Sequence, residues 1–481
     1  MLRGWPVGST VDPGDSRRGA GRTVPQQDLS TIVKAYDVRG TVPDQLNESV
    51  ARAIGTALVE TLRAGGERAD RVVVAHDMRD SSPGLAAAIA DGVTAAGADV
   101  IDAGLGSTDL LYYASGSHDI PGAMITASHN PPQYNGIKLC RAGAKPIGQD
   151  SGLTDIRDRA TALLVGGQPT PEGKGTITTS DMLREYADYL RSLVDLSGIR
   201  PLTVVVDAGN GMAGHTVPAV LGEPLRIIPL YFELDGTFPN HEANPLEPKN
   251  IVDLQRAVRE RGADIGLAFD GDADRCFVVD ENGDAVSPST ITALVAVREL
   301  AKHPGATIIH NLITSSAVAE IVAEHGGVPV RTRVGHSFIK AEMARTGAVF
   351  GGEHSAHYYF RDFWGADTGM LAAMHVLAEL GGQDRPLSEL VREYSRYSAS
   401  GEINSTVQDQ QAKLAEVEAA LSETPETTID HLDGLTVRYA DGAWVNLRPS
   451  NTEPLLRLNV EARDDERMAA LRDEVLAIVR G

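Results

Sequence analysis

Three short apolar runs, each ending in a polar turn, recur along the chain. They are RVVVAHDMRDSS from residue 71, LTVVVDAGNGMAG from residue 202 and ATIIHNLITSS from residue 306. Continuous β-branched runs of this kind are typical of parallel strands that are buried on both faces. Segments with helical character follow the runs, as in residues 85–98 and 315–327. The pattern therefore predicts three α/β units of similar construction.

The C-terminal part of the chain has a different pattern. The segments WVNLRP (444–449) and PLLRLNVEA (454–462) predict a pair of strands, and residues 464–479 predict a closing helix. We therefore expect three similar mixed α/β domains followed by a smaller α+β domain.

Linker composition divides the chain into these domains. A length of 481 residues exceeds what one ordinary core supports. Segments rich in Gly, Pro and Ser around residues 163–178 and 281–289, and a break near residues 393–404, indicate the boundaries. We predict domains at residues 28–172, 173–283, 284–394 and 395–481. Residues 1–27 lack the apolar centre of a signal peptide and predict a disordered extension.

Charge and cysteine content exclude several classes of function. The chain has 44 Lys and Arg against 66 Asp and Glu, a net charge of −22. Such an acidic chain is a poor candidate for binding nucleic acid or an anionic membrane, although a local basic cluster can still hold a small anion. No apolar run is long enough for a membrane-spanning helix. The two cysteines, Cys140 and Cys276, show no CxxC spacing, so we expect a reducing, cytoplasmic location.

A cluster of aspartates predicts a metal site. The segment LAFDGDADRCFVVD (267–280) places Asp270, Asp272 and Asp274 at alternate positions between two strand-like runs. Carboxylates at this density suit a hard cation such as Mg²⁺ or Ca²⁺. An EF-hand is excluded, because Arg275 stands where that loop requires glycine. A solvated acidic turn is the weaker alternative.

A stiffened turn presents a candidate nucleophile. In AMITASHNPPQYNGIKL (123–139), Ser128 is followed by His129, Asn130 and two prolines. The hydrolase elbow G-x-S-x-G is absent, which disfavours a Ser–His–Asp hydrolase. Taken alone, Ser128 has the composition of an ordinary turn serine. An exposed, rigid serine near a metal site also suits a carrier of a phosphoryl group.

Two further segments have the composition of binding loops. GGEHSAHYYF (351–360) presents Glu353, Ser355 and His357 at alternate positions, which suits sugar hydroxyls. RPSNTEPLLR (448–457) combines an arginine fork with hydroxyl and amide groups, which suits phosphate. Each segment by itself is a weak signal.

Together, TASHNP, DGDADR, GEHSAH and RPSNTEP resemble the motifs of the α-D-phosphohexomutase superfamily, and closely those of its phosphomannomutase/phosphoglucomutase branch. KAYDVRG (34–40) agrees as well, so the resemblance extends from about residue 28 to the end. It implies four domains around a central cleft. It also implies that phosphorylated Ser128 passes its phosphoryl group to a sugar monophosphate. The resulting 1,6-bisphosphate then reverses its orientation in the cleft, and the enzyme takes back the other phosphoryl group.

The resemblance assigns roles to individual residues. It implies Mg²⁺ on Asp270, Asp272, Asp274 and Ser128, with a hexose 1,6-bisphosphate as activator. The implied catalytic residues are Ser128, Lys138, His336, Arg39, His129 and Arg275, with Lys138 and His336 as candidate acid and base. The implied substrate-binding residues are Tyr36, Asn130, Glu353, Ser355, His357, Arg448, Ser450, Asn451, Thr452 and Arg457. We expect a monomer or homodimer that acts on hexose phosphates.

Substrate choice stays open at this point. By resemblance, Glu353 and Ser355 hold the O3 and O4 hydroxyls, which mannose and glucose share, so we expect interconversion of the 1- and 6-phosphates of mannose and also of glucose. Relatives often carry a lysine where this chain has Leu312, and Arg331 or Arg333 is the candidate replacement. The alternatives are a phosphoglucosamine mutase, a Mg²⁺-dependent sugar phosphatase and an inactive phosphosugar-binding protein.

Overall fold

A computed structural model describes residues 28–167, 173–422, 426–450 and 455–481. The predicted N-terminal extension, residues 1–27, lies outside the described residues. The architecture is the expected one: three similar α/β domains and a C-terminal α+β domain.

The first domain is built on a mixed sheet whose order is β1-β5-β4-β2-β3-β7, with β6 paired to β5. Its strands are β1 Val38–Thr41, β2 Arg71–His76, β3 Asp99–Leu105, β4 Gly122–Ile125, β5 Tyr134–Arg141, β6 Lys145–Pro146 and β7 Ile177–Thr179. Its helices are α1 Glu48–Ala64, α2 Ser82–Ala95, α3 Thr108–His118 and α4 Leu153–Gly166. Strand β7 pairs with β3, so the first sheet extends beyond residue 172, where we placed the domain boundary.

The second domain has the sheet order β12-β11-β10-β8-β9. Its helices are α5 Leu183–Leu193, α6 Ala213–Val220 and α7 Val252–Arg261. Its strands are β8 Leu202–Asp207, β9 Leu225–Leu230, β10 Ile265–Phe269, β11 Cys276–Asp280 and β12 Ala285–Val286.

The third domain has the sheet order β14-β13-β15-β16-β17. Its helices are α8 Pro288–Lys302, α9 Ser316–Glu324, α10 His336–Thr346, α11 Gly369–Gly381 and α12 Leu387–Val391. Its strands are β13 Thr307–Asn311, β14 Val328–Thr332, β15 Phe350–Gly352, β16 Tyr358–Phe360 and β17 Ala366–Asp367.

The three sheets share one plan. In each, three parallel strands are followed by two antiparallel ones: β3, β2, β4 then β5, β1; β9, β8, β10 then β11, β12; and β14, β13, β15 then β16, β17. The three predicted apolar runs form β2, β8 and β13, the middle parallel strand in each case. Their side chains are almost entirely buried, as helices on both faces of a parallel sheet require.

The fourth domain is an antiparallel sheet with the order β18-β23-β22-β21-β20, with β19 also paired to β23. Two helices, α13 Gln410–Ser422 and α14 Asp465–Arg480, complete it. Its strands are β18 Ser398–Ala399, β19 Ile403–Thr406, β20 Thr428–Asp430, β21 Leu435–Arg438, β22 Trp444–Pro449 and β23 Leu455–Ala462. The predicted strand pair is β22 and β23, and the predicted closing helix is α14.

The apolar cores are distributed unevenly over the four domains. One continuous core runs through the first three domains, and a second fills the other face of the first sheet. The fourth domain has a core of its own. A small cluster of Leu312, Ile313 and Trp444 joins it to the third domain. None of the helices in the described part of the chain has the length and apolar character that crossing a bilayer requires.

Candidate active site

Three loops at the same topological position carry the predicted chemistry. Each connects the third parallel strand of its sheet to the first antiparallel strand: the serine loop, residues 126–133; the aspartate loop, residues 270–275; and the sugar loop, residues 353–357. Each contains a non-glycine residue in the left-handed region, namely Ser128 (φ 50°), Ala273 (φ 60°) and Ala356 (φ 65°). Such conformations persist only where the surroundings impose them, and they cluster at functional sites.

A buried arginine imposes the shape of the serine loop. Arg79, which is 1% exposed, donates hydrogen bonds from Nη2 to the carbonyl oxygens of Ser128 (2.8 Å) and Asn130 (2.7 Å). Its Nη1 donates to those of Pro131 and Tyr134. Asp77 lies 3.3 Å from its Nε and compensates its charge. Sequence reasoning missed Arg79, because a charged residue in a polar turn gives no sign that it is buried.

The Ser128 hydroxyl faces the aspartate loop. Its Oγ donates to Asp270 Oδ2 at 2.7 Å and lies 3.1 Å from His129 Nδ1. Arg275 donates to His129 Nδ1 and also contacts Asp270. Burial and the charge of Arg275 hold the pKa of His129 well below its usual range, so the imidazole is neutral. The predicted neighbours Ser128, His129, Asp270 and Arg275 therefore form one contiguous cluster.

The three aspartates of the aspartate loop fit a divalent cation. One oxygen from each of Asp270, Asp272 and Asp274 lies within 4.8 Å of the others, and all three side chains are buried. Asp272 Oδ1 and Asp274 Oδ1 are buried without a hydrogen-bond partner, which is costly for a carboxylate unless a cation compensates it. Burial raises the pKa of Asp270 to about 7, an effect that a bound cation would oppose. Hard oxygen ligands of this kind suit Mg²⁺.

Lys138 contacts the same carboxylates. Its Nζ lies 2.6 Å from Asp272 Oδ2 and 2.6 Å from Asp274 Oδ2. Burial alone would lower the pKa of Lys138, but the charges of the two aspartates outweigh it and raise the pKa well above its usual value. In this environment Lys138 is protonated at neutral pH. A base role, which we also considered, requires a lowered pKa that this arrangement does not provide.

His357 belongs to a buried chain of charges. Its Nδ1 lies 2.9 Å from Asp367 Oδ2 and 3.9 Å from Asp274 Oδ1. Lys340 Nζ lies 2.7 Å from Asp367 Oδ1. Because the Asp367 carboxylate accepts a hydrogen bond from Nδ1–H, Nε2 is the basic nitrogen of a neutral His357. Asp367 and Lys340 were missed from the sequence, since neither belongs to a motif.

His336 and Tyr36 meet across two domains. Their rings pack edge to face with centroids 4.8 Å apart. Burial and the charge of Lys340 lower the pKa of His336 to about 4, so its imidazole is neutral. Arg39 donates to Asn130 Oδ1 and pairs with Asp37, which places Arg39 and Asn130 at the serine loop.

The sugar loop holds its carboxylate rigidly. Glu353, which is 2% exposed, accepts hydrogen bonds from Asn311 Nδ2, from the Gly335 backbone and from the Tyr359 hydroxyl. Ser355 is half-buried beside it. The predicted sugar-binding carboxylate is thus oriented by its own domain.

Two arginines of the predicted phosphate site share one acid. Arg448 Nη2 lies 2.8 Å from Glu402 Oε2, and Arg457 Nη1 lies 3.0 Å from Glu402 Oε1. Burial lowers the pKa of His354 of the sugar loop, and Glu402 and Arg448 are the charged groups that act on it, so the two segments adjoin. Ser450 is buried next to them, and Asn451 and Thr452 lie outside the described residues. Glu402 carried no signal in the sequence.

The two candidates for replacing the missing lysine lie in different surroundings. Leu312 itself packs against Trp444. Arg333 stacks over Phe338, 4.7 Å from its ring centroid, and Phe338 packs on Tyr36. Arg331 instead pairs with Asp430 of the fourth domain at 2.6 Å. Of the two, Arg333 is the one beside predicted site residues.

Family models cover almost the whole described chain. Residues 30–163, 184–283 and 287–397 match the models of phosphoglucomutase/phosphomannomutase, alpha/beta/alpha domains I, II and III. Residues 402–478 match the model of the phosphoglucomutase/phosphomannomutase C-terminal domain.

Full-length relatives agree with these matches. The chain is 43% identical over 457 residues to a protein of Xanthomonas campestris named as phosphohexose mutases, covering 93% of this chain and 99% of that one. It is 41% identical over 460 residues to a phosphomannomutase of Salmonella montevideo, covering 93% and 99%. A solved structure of a phosphoglucomutase/phosphomannomutase family protein from Burkholderia thailandensis is 33% identical, has a TM-score of 0.82 and covers 94% and 98%.

Proposed function

The chain belongs to the phosphoglucomutase/phosphomannomutase family, and on this basis we propose that it interconverts mannose 1-phosphate and mannose 6-phosphate, and also the glucose phosphates. It is an isomerase that moves a phosphate within a sugar. The observation that carries the proposal is the contact of the Ser128 hydroxyl with a buried triad of aspartates. We place the activity in the cytoplasm.

Ser128 is the phosphoryl carrier in this proposal. The Oγ–phosphorus bond of phosphorylated Ser128 breaks while a bond forms between phosphorus and a sugar hydroxyl oxygen. The sugar hydroxyl loses its proton to a base, for which Nε2 of His357 or the imidazole of His336 is suited. The resulting 1,6-bisphosphate reverses its orientation in the cleft, and Ser128 then takes the phosphoryl group from the other position of the sugar. The protonated histidine returns its proton to the sugar oxygen that is released in this second transfer. Lys138, held protonated by its aspartates, gives a proton to Oγ of Ser128 as the first phosphoryl group leaves and recovers it as Oγ accepts the second.

Asp270, Asp272 and Asp274, with the phosphate on Ser128, would hold Mg²⁺. A bound Mg²⁺ neutralises charge on the transferring phosphoryl group. Arg275 and Arg39 contact the serine loop, of which His129 is a part. All three residues supply further hydrogen-bond donors at this loop.

The phosphate that is not being transferred requires a separate site. Arg448 offers a planar fork for two phosphate oxygens, and Ser450, Asn451, Thr452 and Arg457 complete the set of donors. Glu353 and Ser355 bind sugar hydroxyls that occupy the same place in both orientations of the sugar. Tyr36 and Asn130 border the transfer site. Glu402 forms ion pairs with both Arg448 and Arg457, so the substrate phosphate competes with the Glu402 carboxylate for the two arginines.

Nothing in this set of residues selects the configuration at C2. Large discrimination needs a buried group that the wrong substrate leaves unpaired. We therefore expect kcat/KM for mannose and glucose phosphates to agree within roughly two orders of magnitude, with glucosamine phosphate a poorer substrate. Preferred turnover of glucosamine phosphate would overturn the choice of sugar and leave the reaction class intact.

One assay separates the mutase from its alternatives. The enzyme is incubated with Mg²⁺, mannose 1-phosphate and a trace of the 1,6-bisphosphate, and the products are followed by phosphorus NMR. We expect mannose 6-phosphate. Release of free phosphate would indicate a phosphatase, and no change would indicate a binding protein. Ser128→Ala should abolish turnover, whereas the matched Ser192→Ala on exposed helix α5 should not.

The metal proposal has its own test. Asp272→Asn keeps the shape of the side chain and removes one charge from the cation site. We expect turnover to fall by about two orders of magnitude or more while the circular dichroism spectrum is retained. Full activity after exhaustive chelation would rule out the proposed role of Mg²⁺.

A further inference from the structure

A cavity of about 560 Å³ lies between the third and fourth domains, away from the loops described above. His310 of β13 and Arg331 of β14 line it from the third domain. Arg438, at the end of β21, and Arg463, directly after β23, line it from the fourth. We refer to it as the arginine cavity.

The positive charge in the arginine cavity is only partly compensated by ion pairs. Arg331 pairs with Asp430, but its Nη1 is buried without a hydrogen-bond partner. Among the described residues, Arg438 and Arg463 form no ion pair with a carboxylate. Arg463 donates only weakly, at 3.3 Å, to the carbonyl oxygen of Asp441. Burial and the neighbouring Arg331 lower the pKa of Arg438, and the more weakly acting carboxylates of Asp430 and Glu461 do not offset this.

The carboxylates around the arginine cavity are engaged elsewhere. Glu320 accepts from Tyr397 and Arg396. Glu461 accepts from the Trp444 indole and from the Ser316 backbone. Asp441 pairs with Arg467 at 2.9 Å. In a chain with a net charge of −22, a cavity lined by three guanidinium groups, two of which form no ion pair among the described residues, points to an anionic ligand.

The arginine cavity is separate from the proposed phosphate site. In the sheet, Arg438 lies opposite Trp444, at the start of β22, whereas Arg448 is near its end. Four residues of extended strand separate the two positions, which corresponds to about 13 Å.

We propose that the arginine cavity binds a small molecule through a pyrophosphate group. Three guanidinium groups match the roughly three negative charges of a diphosphate, and the planar arginine fork fits pairs of phosphate oxygens. The volume is that of a site for a metabolite. Because Arg331 belongs to one domain and Arg438 and Arg463 to the next, the ligand bridges the two domains.

The test is a calorimetric titration of the metal-free protein with inorganic pyrophosphate in low-salt buffer. Because the proposed phosphate site can also hold pyrophosphate, all the titrated proteins carry Arg448→Gln. In this background we expect saturable binding that weakens at least tenfold when Arg438→Gln or Arg463→Gln is added. Arg463 is exposed, so its variant is expected to fold even if the Arg438 variant does not. Thermal unfolding of each variant checks this.

Three results would overturn the proposal: no binding to the Arg448→Gln protein, binding that is unchanged when Arg438→Gln and Arg463→Gln are added, or orthophosphate binding as tightly as pyrophosphate. The titration contains no sugar substrate and measures no turnover. Its outcome is therefore independent of the proposed mutase activity.

Discussion

At the scale of single residues, buried partners hold the reactive groups in place. A left-handed backbone at Ser128 costs on the order of 1–3 kcal/mol, and the four carbonyl contacts of Arg79 offset that cost. Asp367 acts in the same way on His357, because it fixes which ring nitrogen carries the proton.

Asp367→Asn should impair turnover more than binding. The amide cannot hold His357 in the same protonation pattern, so we expect kcat to fall about ten- to a hundredfold, the range seen when the partner of a functional histidine is removed. KM should change little, which steady-state kinetics will show.

Loss of Asp367 also leaves Lys340 buried without its partner, which by itself destabilises the fold. The double variant Lys340→Met/Asp367→Asn removes that complication. Wild-type kcat in the double variant would show that Asp367 has no positioning role.

At the scale of elements, loops from different domains are in direct contact. The added methyl group of Gly271→Ala would lie 2.3 Å from the Ser128 carbonyl oxygen, a distance that forces the serine and aspartate loops apart. Displacements near 1 Å at a reacting centre cost about a hundredfold in rate, and we expect a loss of that size in kcat/KM.

The control for Gly271→Ala is Gly198→Ala, because no atom lies within 4 Å of a methyl group added there. Both variants should keep the wild-type circular dichroism spectrum. Equal activity of the two would show that the contact of the loops is unimportant.

A contact between the loop after β9 and the end of β8 gives a pH-dependent contribution to stability. Burial alone would lower the pKa of His241, but its hydrogen bond to Asp207, at 3.0 Å, outweighs this and raises the pKa above the usual 6.5. Protonated His241 therefore stabilises the fold below pH 6.5, and this contribution is lost as the pH rises through the raised pKa.

Thermal unfolding of the wild type and His241→Gln will check this sign. The difference in Tm should be largest near about pH 6 and should shrink towards about pH 8.5. A difference that grows with pH would contradict the assignment.

Local pattern predicted the elements well and the supporting contacts poorly. The runs that became β2, β8 and β13 are visible because burial on both faces leaves a continuous apolar signature. The loops that follow them carry motifs. In contrast, the pKa of Lys138 depends on aspartates more than a hundred residues away in the sequence. The ion pair of Glu402 with Arg448 likewise joins residues that are 46 positions apart. Such contacts exist only once the chain has folded.

At the scale of the whole molecule, the four domains are two units of stability. The first three share a core, while the fourth has its own and touches the third through the small cluster around Trp444. Sub-global opening of the fourth domain should therefore need less free energy than unfolding of the rest.

Native-state hydrogen exchange of two matched variants will test this division. Leu458→Ala, in the core of the fourth domain, should lower the opening free energy of amides in β21 and β22 by about 2–5 kcal/mol and leave those in β8 and β10 unchanged. Leu267→Ala, in the shared core, should lower the values for β8 and β10. Identical shifts throughout both proteins would show one cooperative unit.

The equivalent placement of the serine, aspartate and sugar loops has a consequence for how this activity arises. A single ancestral unit of three parallel and two antiparallel strands, copied twice within one gene, would bring three identical turns to one cleft. The loop of each copy can then specialise, one to carry the nucleophile, one to bind the cation and one to bind the sugar, while the three sheets keep the same strand order. Division of labour among duplicated turns makes the chemistry collective, because no single copy contains the nucleophile, the cation ligands and the sugar-binding carboxylate together.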